Sequence, residues 1–395
     1  MTENTDRSAI RAASDILKLD DELSEGEREL RDTIREFVDR RIRPHVAAWF
    51  DEARFPVELV PELAELGLLG MHLTGYGCAG RTAVDYGIAM RELEAGDSGI
   101  RTFVSVQGSL SMSAIWKFGS EEQKRQWLPR MAKGEAIGCF GLTEPTAGSD
   151  PASMLTNARL EGDEWVLNGA KRWIGLASVA DVAVIWAKTD DGVRGFLVPT
   201  NTPGFTATPI AQKLSMRASI QCDLALDEVR LPSDAVLPEA KGLRGPFSCL
   251  DEARYGIAWG AVGAARDSYE AALGYAMERT QFGKPIAAFQ LTQEKLVGMV
   301  LEIQKAQLVA LQLGRLKDAG RLEPQMISLA KLNNTRTAIE IARAARSVLG
   351  GNGITLEFSP LRHAANLESV RTYEGTDEVH TLVLGQHLTG IPAFR

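Results

Sequence analysis

A single glutamate near the end of the chain stands where acid–base chemistry is plausible on residue type alone. Glu374 lies in the run Arg371–His380, between Tyr373 and Gly375, where an apolar helical stretch breaks before a new one begins. A carboxylate at such a break is either a solvated turn residue or a general base held over a substrate. Because the chain has 52 acidic residues, most of which must be solvated, this run alone does not decide between the two interpretations.

A second run, Cys139-Phe-Gly-Leu-Thr-Glu-Pro-Thr-Ala-Gly-Ser-Asp150, follows a helical segment and opens a β-rich zone. On its own it is equally consistent with a strand followed by a proline–glycine turn. Together, the two runs resemble the acyl-CoA dehydrogenase family of flavoproteins, and within that family the glutaryl-CoA dehydrogenases. The likeness extends over nearly the whole chain.

The resemblance implies FAD as the cofactor, with the flavin ring at the edge of the β zone and the pyrophosphate near an arginine, whose fork geometry and permanent charge suit phosphate. The residues implied in cofactor binding are Phe140, Leu142, Thr143, Gly148, Ser149, Trp173, Ile174, Gly175, Arg279, Gln281, Phe282, Gln290, Leu349, Gly350, Gly351 and Thr376. In the family, the run Arg279–Phe282 and Gln290 reach the flavin of a neighbouring subunit. A homo-oligomer, specifically a tetramer, is therefore expected. Without the resemblance, Arg279 would be a solvated helix-end charge and Gly350 a helix C-cap.

Desaturation of an acyl thioester needs a base for the α proton, a polarised carbonyl and a hydride acceptor over Cβ. The resemblance makes Glu374 the base and flavin N5 the acceptor, and a pKa raised by burial would suit the carboxylate to this role. The backbone N–H of Glu374 and a flavin ribityl hydroxyl are implied to grip the carbonyl. The other residues implied in acyl-CoA binding are Glu94, Arg101, Thr102, Ser105, Ser149, Phe247, Leu250, Asp251, Arg254, Tyr373 and Gly375.

Arg101 gives the sharpest substrate prediction. A second carboxylate on the acyl tail must meet a buried cation, since its desolvation would otherwise forbid binding. Arg101 matches the arginine that holds the γ-carboxylate of glutarate, and Glu94, Thr102 and Ser105 match its polar neighbours. Without the resemblance, Arg101 would be interpreted as a surface residue that forms a salt bridge. Glu94 and Tyr373 also match decarboxylating members, so we expect conversion of glutaryl-CoA to crotonyl-CoA and CO2, with electrons passing to an electron-transfer flavoprotein.

Two residues depart from the family pattern and leave alternatives open. Gly175 and Leu176 stand where many dehydrogenases have Thr and Asn, and plant short-chain acyl-CoA oxidases of the same superfamily also have a glycine at the first position. An acyl-CoA oxidase, or a dehydrogenase for another short-chain acyl-CoA, is therefore the alternative. A third is a non-catalytic member of the fold that binds DNA or a protein. The net charge of −8 and the presence of Glu374 argue against that role.

Composition narrows the cellular setting. The cysteines, Cys78, Cys139, Cys222 and Cys249, are far apart and form no CxxC pair, which is typical of reduced thiols in a reducing compartment. The five histidines show no metal-ligand spacing, so no metal site is expected. The first residues lack the apolar core of a secretory signal, and no window approaches ~18 uninterrupted apolar residues. We expect a cytoplasmic protein without nucleic-acid partners or membrane insertion.

The elements that must position these residues fall into three zones. Helical patterning predicts an N-terminal helical domain over residues 1–135, short β-rich runs predict a middle β domain over 136–240, and long helices predict a C-terminal helical domain over 241–395. The fold class is mostly α with a central β domain. The resemblance adds a β-barrel-like middle domain and a C-terminal four-helix bundle.

Local signals refine this outline. Ser120-Glu-Glu-Gln123 is a capping box that predicts a helix start, and Asn168-Gly169 predicts a hairpin turn between two strands. Gly75-Tyr-Gly-Cys-Ala-Gly80 matches a dinucleotide-binding fingerprint. Because no alternating βαβ pattern surrounds it, we expect a glycine-rich loop between helices instead.

Overall fold

The N-terminal part of the protein is helical. The computed structural model describes residues 7–394. Its first helices are α1 (Arg7–Ser14), α2 (Glu25–Phe37), α3 (Val46–Asp51), α4 (Val60–Glu65), α5 (Ala83–Gly96), α6 (Ser98–Ser105), α7 (Ser113–Phe118) and α8 (Glu121–Ala132). The predicted capping box is confirmed at the start of α8, where the Gln123 N–H donates to Ser120 Oγ at 3.2 Å and the Ser120 N–H to Gln123 Oε1 at 2.9 Å. The Gly75–Gly80 segment is a loop before α5, as expected.

The break between α5 and α6 sets the direction of two predicted site residues. Asp97 is extended, and its Oδ1 caps α6 by accepting a hydrogen bond from the Gly99 N–H at 2.7 Å. All residues of α5 are buried, so its last turn, which carries Glu94, lies in the core. The turn at Asp97 brings α6, with Arg101, back alongside that last turn.

A buried glutamine connects this helical region to the first strand. A π-helical segment, Val106–Met112, continues α6 toward α7 and includes Gln107. The side-chain amide of Gln107 donates to the Ala136 carbonyl at 2.9 Å, and its Oε1 accepts from the Gly138 N–H at 2.8 Å. The strand that begins at Gly138 is thereby fixed relative to α6.

The central part of the chain is a curled sheet. Its strands are β1 (Gly138–Gly141), β2 (Asn157–Glu161), β3 (Glu164–Gly175), β4 (Val182–Thr189), β5 (Gly192–Pro199), β6 (Phe205–Pro209) and β7 (Gln221–Pro232). The order is β1-β4-β2-β3-β7-β6, with β5 also paired to β4. β1 runs parallel to β4, and the other long pairings are antiparallel.

The predicted turn at Asn168-Gly169 is wrong. β3 continues through both residues, and the hairpin turn lies earlier, between β2 and β3, at Gly162, whose φ is 63°. Asn168 donates from its side chain to Glu228 on β7 at 2.7 Å, and Gly169 occupies a register shift where an added Cβ would lie 2.5 Å from Thr156 Oγ1. A glycine in a strand that marks a bulge and a close approach gives the same dipeptide signal as a tight turn.

Long helices make up the remainder. They are α9 (Arg244–Glu278), α10 (Gln290–Asp318), α11 (Pro324–Val348), α12 (Ser359–Thr372) and α13 (Asp377–Thr389), with a small hairpin of β8 (Thr280–Gln281) and β9 (Lys284–Pro285) after α9. α9 packs against both α5 and α11, which joins this bundle to the N-terminal helices. The predicted fold class, mostly α with a central β domain, is confirmed.

Helix α10 contains a long apolar stretch. Among the described residues, α10 alone has the length and composition of a membrane span, with a mean hydropathy of 1.3. Half of that apolar window is buried inside the fold, and core helices of soluble proteins pass the same test.

Candidate active site

The loop between α12 and α13, residues 373–376, has an unusual backbone. Glu374 adopts the left-handed conformation with φ 54°, and Gly375 follows with φ 98°. A left-handed residue other than glycine is uncommon and persists only where its surroundings enforce it. Thr376 then caps α13 by accepting a hydrogen bond from the Val379 N–H at 3.3 Å.

Three helices enforce this conformation. Arg254 of α9 donates from Nε to the Glu374 carbonyl at 2.7 Å. Lys331 of α11 donates to the carbonyls of Tyr373 and Gly375 at 2.7 and 2.5 Å. On the α6 side, the Tyr373 hydroxyl contacts the Arg101 guanidinium, and Thr102 Oγ1 lies 3.4 Å from it. The predicted base and predicted acyl-binding residues are therefore brought together.

The carboxyl group of Glu374 is buried without a full set of hydrogen-bond partners. Its Oε2 atom is buried and has no hydrogen-bond partner among residues 7–394. Burial raises the pKa of Glu374 to about 7, against the opposing charges of Arg101, Arg254 and Lys331. Burial also lowers the pKa of the Lys331 ammonium to about 7, although Glu374 opposes that shift. A carboxyl group with a pKa near 7 can accept and release a proton at neutral pH.

An internal ion pair lies beside this loop. Arg101 is 1% exposed and donates from Nε to Glu94 Oε2 at 2.5 Å, and Glu94 also accepts from Ser98 Oγ at 2.8 Å. Burial alone would lower the pKa of Arg101, but the adjacent Glu94 outweighs it and the pKa is raised. Arg101 is thus a permanently charged cation, and its contact with Glu94 fixes its position. Ser105, the next predicted neighbour along α6, is also buried.

The pair exists only because α9 has a glycine opposite it. A Cβ added at Gly260 would lie 2.0 Å from Glu94 Oε2 and 3.2 Å from Arg101 Nε. Close approach of a buried side chain to a helix backbone is possible only where no Cβ intervenes. Gly260 therefore determines whether Glu94 and Arg101 can occupy their positions.

The remaining predicted acyl-CoA residues follow one face at the start of α9. Phe247 is 39% exposed, Leu250 and Asp251 are partly buried, and Asp251 Oδ1 accepts from Arg254 Nη1 at 3.0 Å. Because Arg254 also holds the Glu374 carbonyl, this face of α9 leads directly to the 373–376 loop.

Two of the runs predicted to bind the flavin meet at one end of the sheet. Phe140 lies in β1, Leu142 and Thr143 follow it, and the Arg172 N–H donates to the Thr143 carbonyl at 2.9 Å. Trp173 stands at a β-bulge with φ 63° and is 51% exposed, with the Arg172 guanidinium 5.0 Å from its ring centroid. Ile174 is buried beside it.

A buried ion pair fixes the turn that follows β1. Lys171 Nζ lies 2.8 Å from Glu144 Oε1, and Glu144 accepts from the N–H groups of Leu155 and Thr156 at 2.6 and 3.0 Å. Gly148 and Ser149, between these anchors, are exposed.

This end of the sheet fits a planar aromatic cofactor with a polar rim. It presents a half-exposed indole, the end of the edge strand β1 and an exposed Gly148–Ser149 turn. A Cβ added at Gly175 would lie 3.5 Å from Val106 Cγ2, which is ordinary contact, so no crowding in the fold requires a glycine there. Leu176 is left-handed and buried, and its side chain faces the protein interior.

The other residues predicted to bind the cofactor lie on the C-terminal bundle. Arg279 ends α9, Gln281 belongs to β8, and Phe282 at the tip of the hairpin is 94% exposed with φ 53°. Gln290 begins α10. Within the described residues, no hydrogen bond or ring contact joins this hairpin to β1 or Trp173. The structure of one chain does not bring the two groups together.

A glycine turn ends α11 in the same bundle. Leu349 is buried, whereas Gly350, with φ 59°, and Gly351 are exposed, and a Cβ added to either glycine would meet nothing within 4 Å. The local fold therefore does not need glycine at both positions for packing.

Two residues of the site, Lys331 and Gly260, were not found from the sequence, and neither was Gln107, which connects the α6 region to β1. Only Lys331 had a usable signal. It falls on the buried stripe of α11 together with Ile327, Asn334 and Ala338, at helical spacings of three and four. A lysine on the buried side of a helix marks an ammonium that must have internal partners.

Comparison with known proteins places the chain in a family. Models of the acyl-CoA dehydrogenase N-terminal, middle and C-terminal domains match residues 24–135, 139–229 and 240–389. The chain belongs to the acyl-CoA dehydrogenase family.

Individual relatives differ in their substrates. The chain is 60% identical to a glutaryl-CoA dehydrogenase from Mycobacterium smegmatis whose crystal structure is a complex with FADH2; the match covers 96% of this chain and 98% of that one, with a TM-score of 0.95. It is 32% identical to a glutaryl-coenzyme A dehydrogenase solved with glutaryl-CoA, over 93% and 96% of the chains, with a TM-score of 0.90. It is also 38% identical to the mitochondrial short-chain specific acyl-CoA dehydrogenase of Bos taurus, over 93% and 91% of the two sequences.

Proposed function

We propose that the protein is an FAD-dependent glutaryl-CoA dehydrogenase that releases CO2 and forms crotonyl-CoA. The observation that carries the proposal is the buried Arg101–Glu94 pair next to Glu374. Relatives named as glutaryl-CoA dehydrogenases support it, at 60% identity in one case. A monocarboxylic acyl chain would gain nothing from a buried guanidinium, whose desolvation is costly.

The guanidinium suits the distal carboxylate of a glutaryl chain. It carries five N–H donors, and its hydrogen bonds to Glu94 and Tyr373 use Nε and Nη2. These bonds hold the guanidinium plane in a fixed orientation for a charge-assisted contact with an incoming carboxylate. Thr102 and Ser105 of α6 would add hydroxyl groups to the same pocket.

Glu374 acts as the base for the α proton. Its pKa of about 7 leaves a substantial ionised fraction at neutral pH, while the protonated form can later return its proton. FAD, when bound, would supply the acceptor for the β hydrogen and its electron pair. The bond to the distal carboxylate then breaks, CO2 leaves, and the electron pair moves into the thioester-conjugated chain. Protonation at C4 by Glu374 gives crotonyl-CoA.

The remaining predicted residues would bind the flavin and the CoA part of the substrate. Phe140, Leu142, Thr143 and Trp173 would hold the flavin ring, while Arg279, Gln281, Phe282 and Gln290 would bind the FAD of a neighbouring subunit in a homotetramer. Phe247, Leu250, Asp251 and Arg254 would line the CoA path along α9. Electrons would leave to an electron-transfer flavoprotein.

A second candidate is a short-chain acyl-CoA dehydrogenase or oxidase. It is favoured by Gly175, where many dehydrogenases have a hydroxyl side chain, and by the relatives named as short-chain specific enzymes. Oxygen consumption with butyryl-CoA distinguishes the oxidase, because only an oxidase reduces O2 rapidly.

Product analysis tests the proposal. The purified holoenzyme is mixed with glutaryl-CoA and an artificial electron acceptor, and the CoA thioesters are identified by mass spectrometry, with the Glu374→Gln variant as the control. We expect crotonyl-CoA. Glutaconyl-CoA would keep the substrate assignment and reject decarboxylation. Unchanged glutaryl-CoA would reject the substrate assignment, and a screen of monocarboxylic acyl-CoAs would replace it.

A further inference from the structure

We propose that Lys331 is a positioning residue for proton transfer, which fixes the left-handed backbone of Glu374 and uses its charge to set the pH range in which Glu374 is ionised. The inference rests on the proposed role of Glu374 as the base. It concerns a buried lysine on α11 that is more than forty positions away in sequence from the loop residues it contacts.

The first part of the argument is geometric. Lys331 is 0% exposed, and its Nζ donates to the carbonyls of Tyr373 and Gly375, the residues on either side of Glu374. An ammonium that holds both flanking carbonyls fixes the peptide planes before and after the glutamate. Arg254 holds the carbonyl of Glu374 itself from the opposite helix. The uncommon φ of 54° is therefore enforced by contacts from other helices rather than by local sequence, and these two cations hold the three consecutive backbone carbonyls.

The second part is a comparison with another buried lysine. Lys171 is equally inaccessible, but its ammonium forms a direct ion pair with Glu144 at 2.8 Å. Lys331 has no carboxylate within ion-pair distance among residues 7–394. A buried ammonium is costly, and a neutral donor would satisfy a carbonyl at lower cost. The charge of Lys331 is thus available to act on Glu374 over a longer distance.

The other charged groups around the pair are largely compensated. From α6, Arg101 faces it but is paired with Glu94 of α5; from α9, Arg254 is paired with Asp251. At the start of α13, Asp377 raises the pKa of Lys331 but is itself paired with two arginines, Arg336 and Arg371.

Two neighbouring groups stay neutral. Burial lowers the pKa of His380 to about 3, with Lys331 adding to the effect, so the imidazole is uncharged near neutrality. Burial raises the pKa of Tyr373 to about 12, so the phenol is also uncharged. Lys331 is therefore the cation whose removal should change the ionisation of Glu374 most cleanly.

Removing the charge of Lys331 and making that charge permanent should shift the pH profile of flavin reduction in opposite directions. Lys331→Gln keeps a donor but removes the charge, so the acid side of the profile for flavin reduction should move up by about one pH unit. Lys331→Arg carries a charge that does not titrate, so the acid side should move down. A purely structural lysine would lower the rate at every pH without moving the midpoint.

The experiment uses the holoenzyme and anaerobic stopped-flow reduction of the flavin across the pH range, with wild type, Lys331→Gln, Lys331→Arg and the exposed-lysine control Lys305→Gln. Butyryl-CoA and glutaryl-CoA are run in parallel. Failure of glutaryl-CoA alone would overturn the substrate assignment, while the Lys331 result is read from butyryl-CoA.

A second readout does not depend on flavin reduction. Calorimetric binding of a redox-inert acyl-CoA thioether, in buffers of different ionisation enthalpy, counts the protons taken up on binding. Lys331→Gln should take up fewer protons near neutrality, because its Glu374 is already protonated. Unmoved midpoints and unchanged proton uptake overturn the proposal. If Lys331→Gln does not retain flavin, the arginine variant decides, and a midpoint that is unchanged or raised overturns it.

Discussion

The candidate acyl pocket, comprising Glu94, Arg101, Tyr373 and Glu374, and the distal hairpin, residues 279–290, are built in opposite ways. In the pocket, side chains from α6, α9 and α11 hold one short loop through hydrogen bonds, and its ionisable groups are buried or partly buried. In the hairpin, Gln281, Gln290 and a 94% exposed Phe282 face outward.

The difference indicates where function depends on a single chain. The pocket is preorganised by its own chain, so substitutions in it should change the chemical step. The hairpin presents polar and aromatic groups that its own chain leaves uncovered. Under its proposed role in binding the FAD of a neighbouring subunit, substitutions there should affect cofactor retention and assembly instead.

The largest effect is expected from Glu374→Gln. The amide keeps the shape of the side chain but cannot accept the α proton, so flavin reduction by glutaryl-CoA should fall by about 10³-fold. Anaerobic stopped-flow measurement of flavin bleaching checks this, and unchanged flavin content with retained glutaryl-CoA binding serves as the control. A loss smaller than about tenfold would remove Glu374 from the proposed mechanism.

Substrate selectivity should follow the internal ion pair. Replacing Arg101 alone leaves Glu94 buried without its partner, so the double variant Glu94→Gln/Arg101→Gln is the cleaner test. We expect kcat/KM for glutaryl-CoA to fall about 100-fold, with butyryl-CoA changed only a few-fold. Equal losses for the two substrates would contradict contact between Arg101 and the distal carboxylate.

Gly260→Ala tests whether the pocket depends on the glycine of α9. The added Cβ would meet Glu94 Oε2 at 2.0 Å, and overpacking of this kind costs about 1–3 kcal/mol. We expect a lower thermal midpoint and a higher KM for glutaryl-CoA. Gly26→Ala is the matched control, because a Cβ there meets nothing within 4 Å. Equal midpoints for the two variants would show that the site relaxes without cost.

A smaller effect than that of Gly260→Ala is expected from the raised pKa of Glu374, which makes the stability of the protein depend on pH. Its pKa in the folded protein, about 7, lies above the ordinary value of 4.5, so the stability it contributes is complete below pH 4.5 and is lost as pH rises through 7. Glu374→Gln should therefore raise the thermal midpoint by about 1–2 °C above pH 7 and leave it unchanged near pH 4.5. Scanning fluorimetry of the holoenzyme measures this, and a gain that is independent of pH would contradict the raised pKa.

Periodicity and motifs predicted the layout of the fold but not the contacts that complete the site. Helical patterning predicted the long helices of the C-terminal part, and the Ser120 capping box predicted the start of α8, because these are local features. The Asn168-Gly169 turn failed because a bulge and a turn both favour glycine. Lys331 contacts residues more than forty positions away in the sequence, and Gly260 is needed only because α9 crosses α5 at that point. No local sequence pattern therefore predicts the role of either residue.

Phe282→Ala should have the smallest effect on the chemical step, and this sharpens the contrast between pocket and hairpin. Phe282 is exposed and contacts the ring of Phe289 at the hairpin tip, with 6.1 Å between centroids, rather than any residue of the pocket. We expect the rate of flavin reduction in the loaded enzyme to stay within about twofold of wild type, while FAD is lost faster on dilution because an exposed aromatic side chain is available to a partner surface. Flavin fluorescence after dilution measures the release, and Leu388→Ala, another exposed apolar residue of the bundle, is the control. A large loss in the reduction rate with full flavin occupancy would mean that the hairpin takes part in the chemical step. That result would contradict the proposed difference between a pocket preorganised by its own chain and a hairpin that acts through a neighbouring subunit.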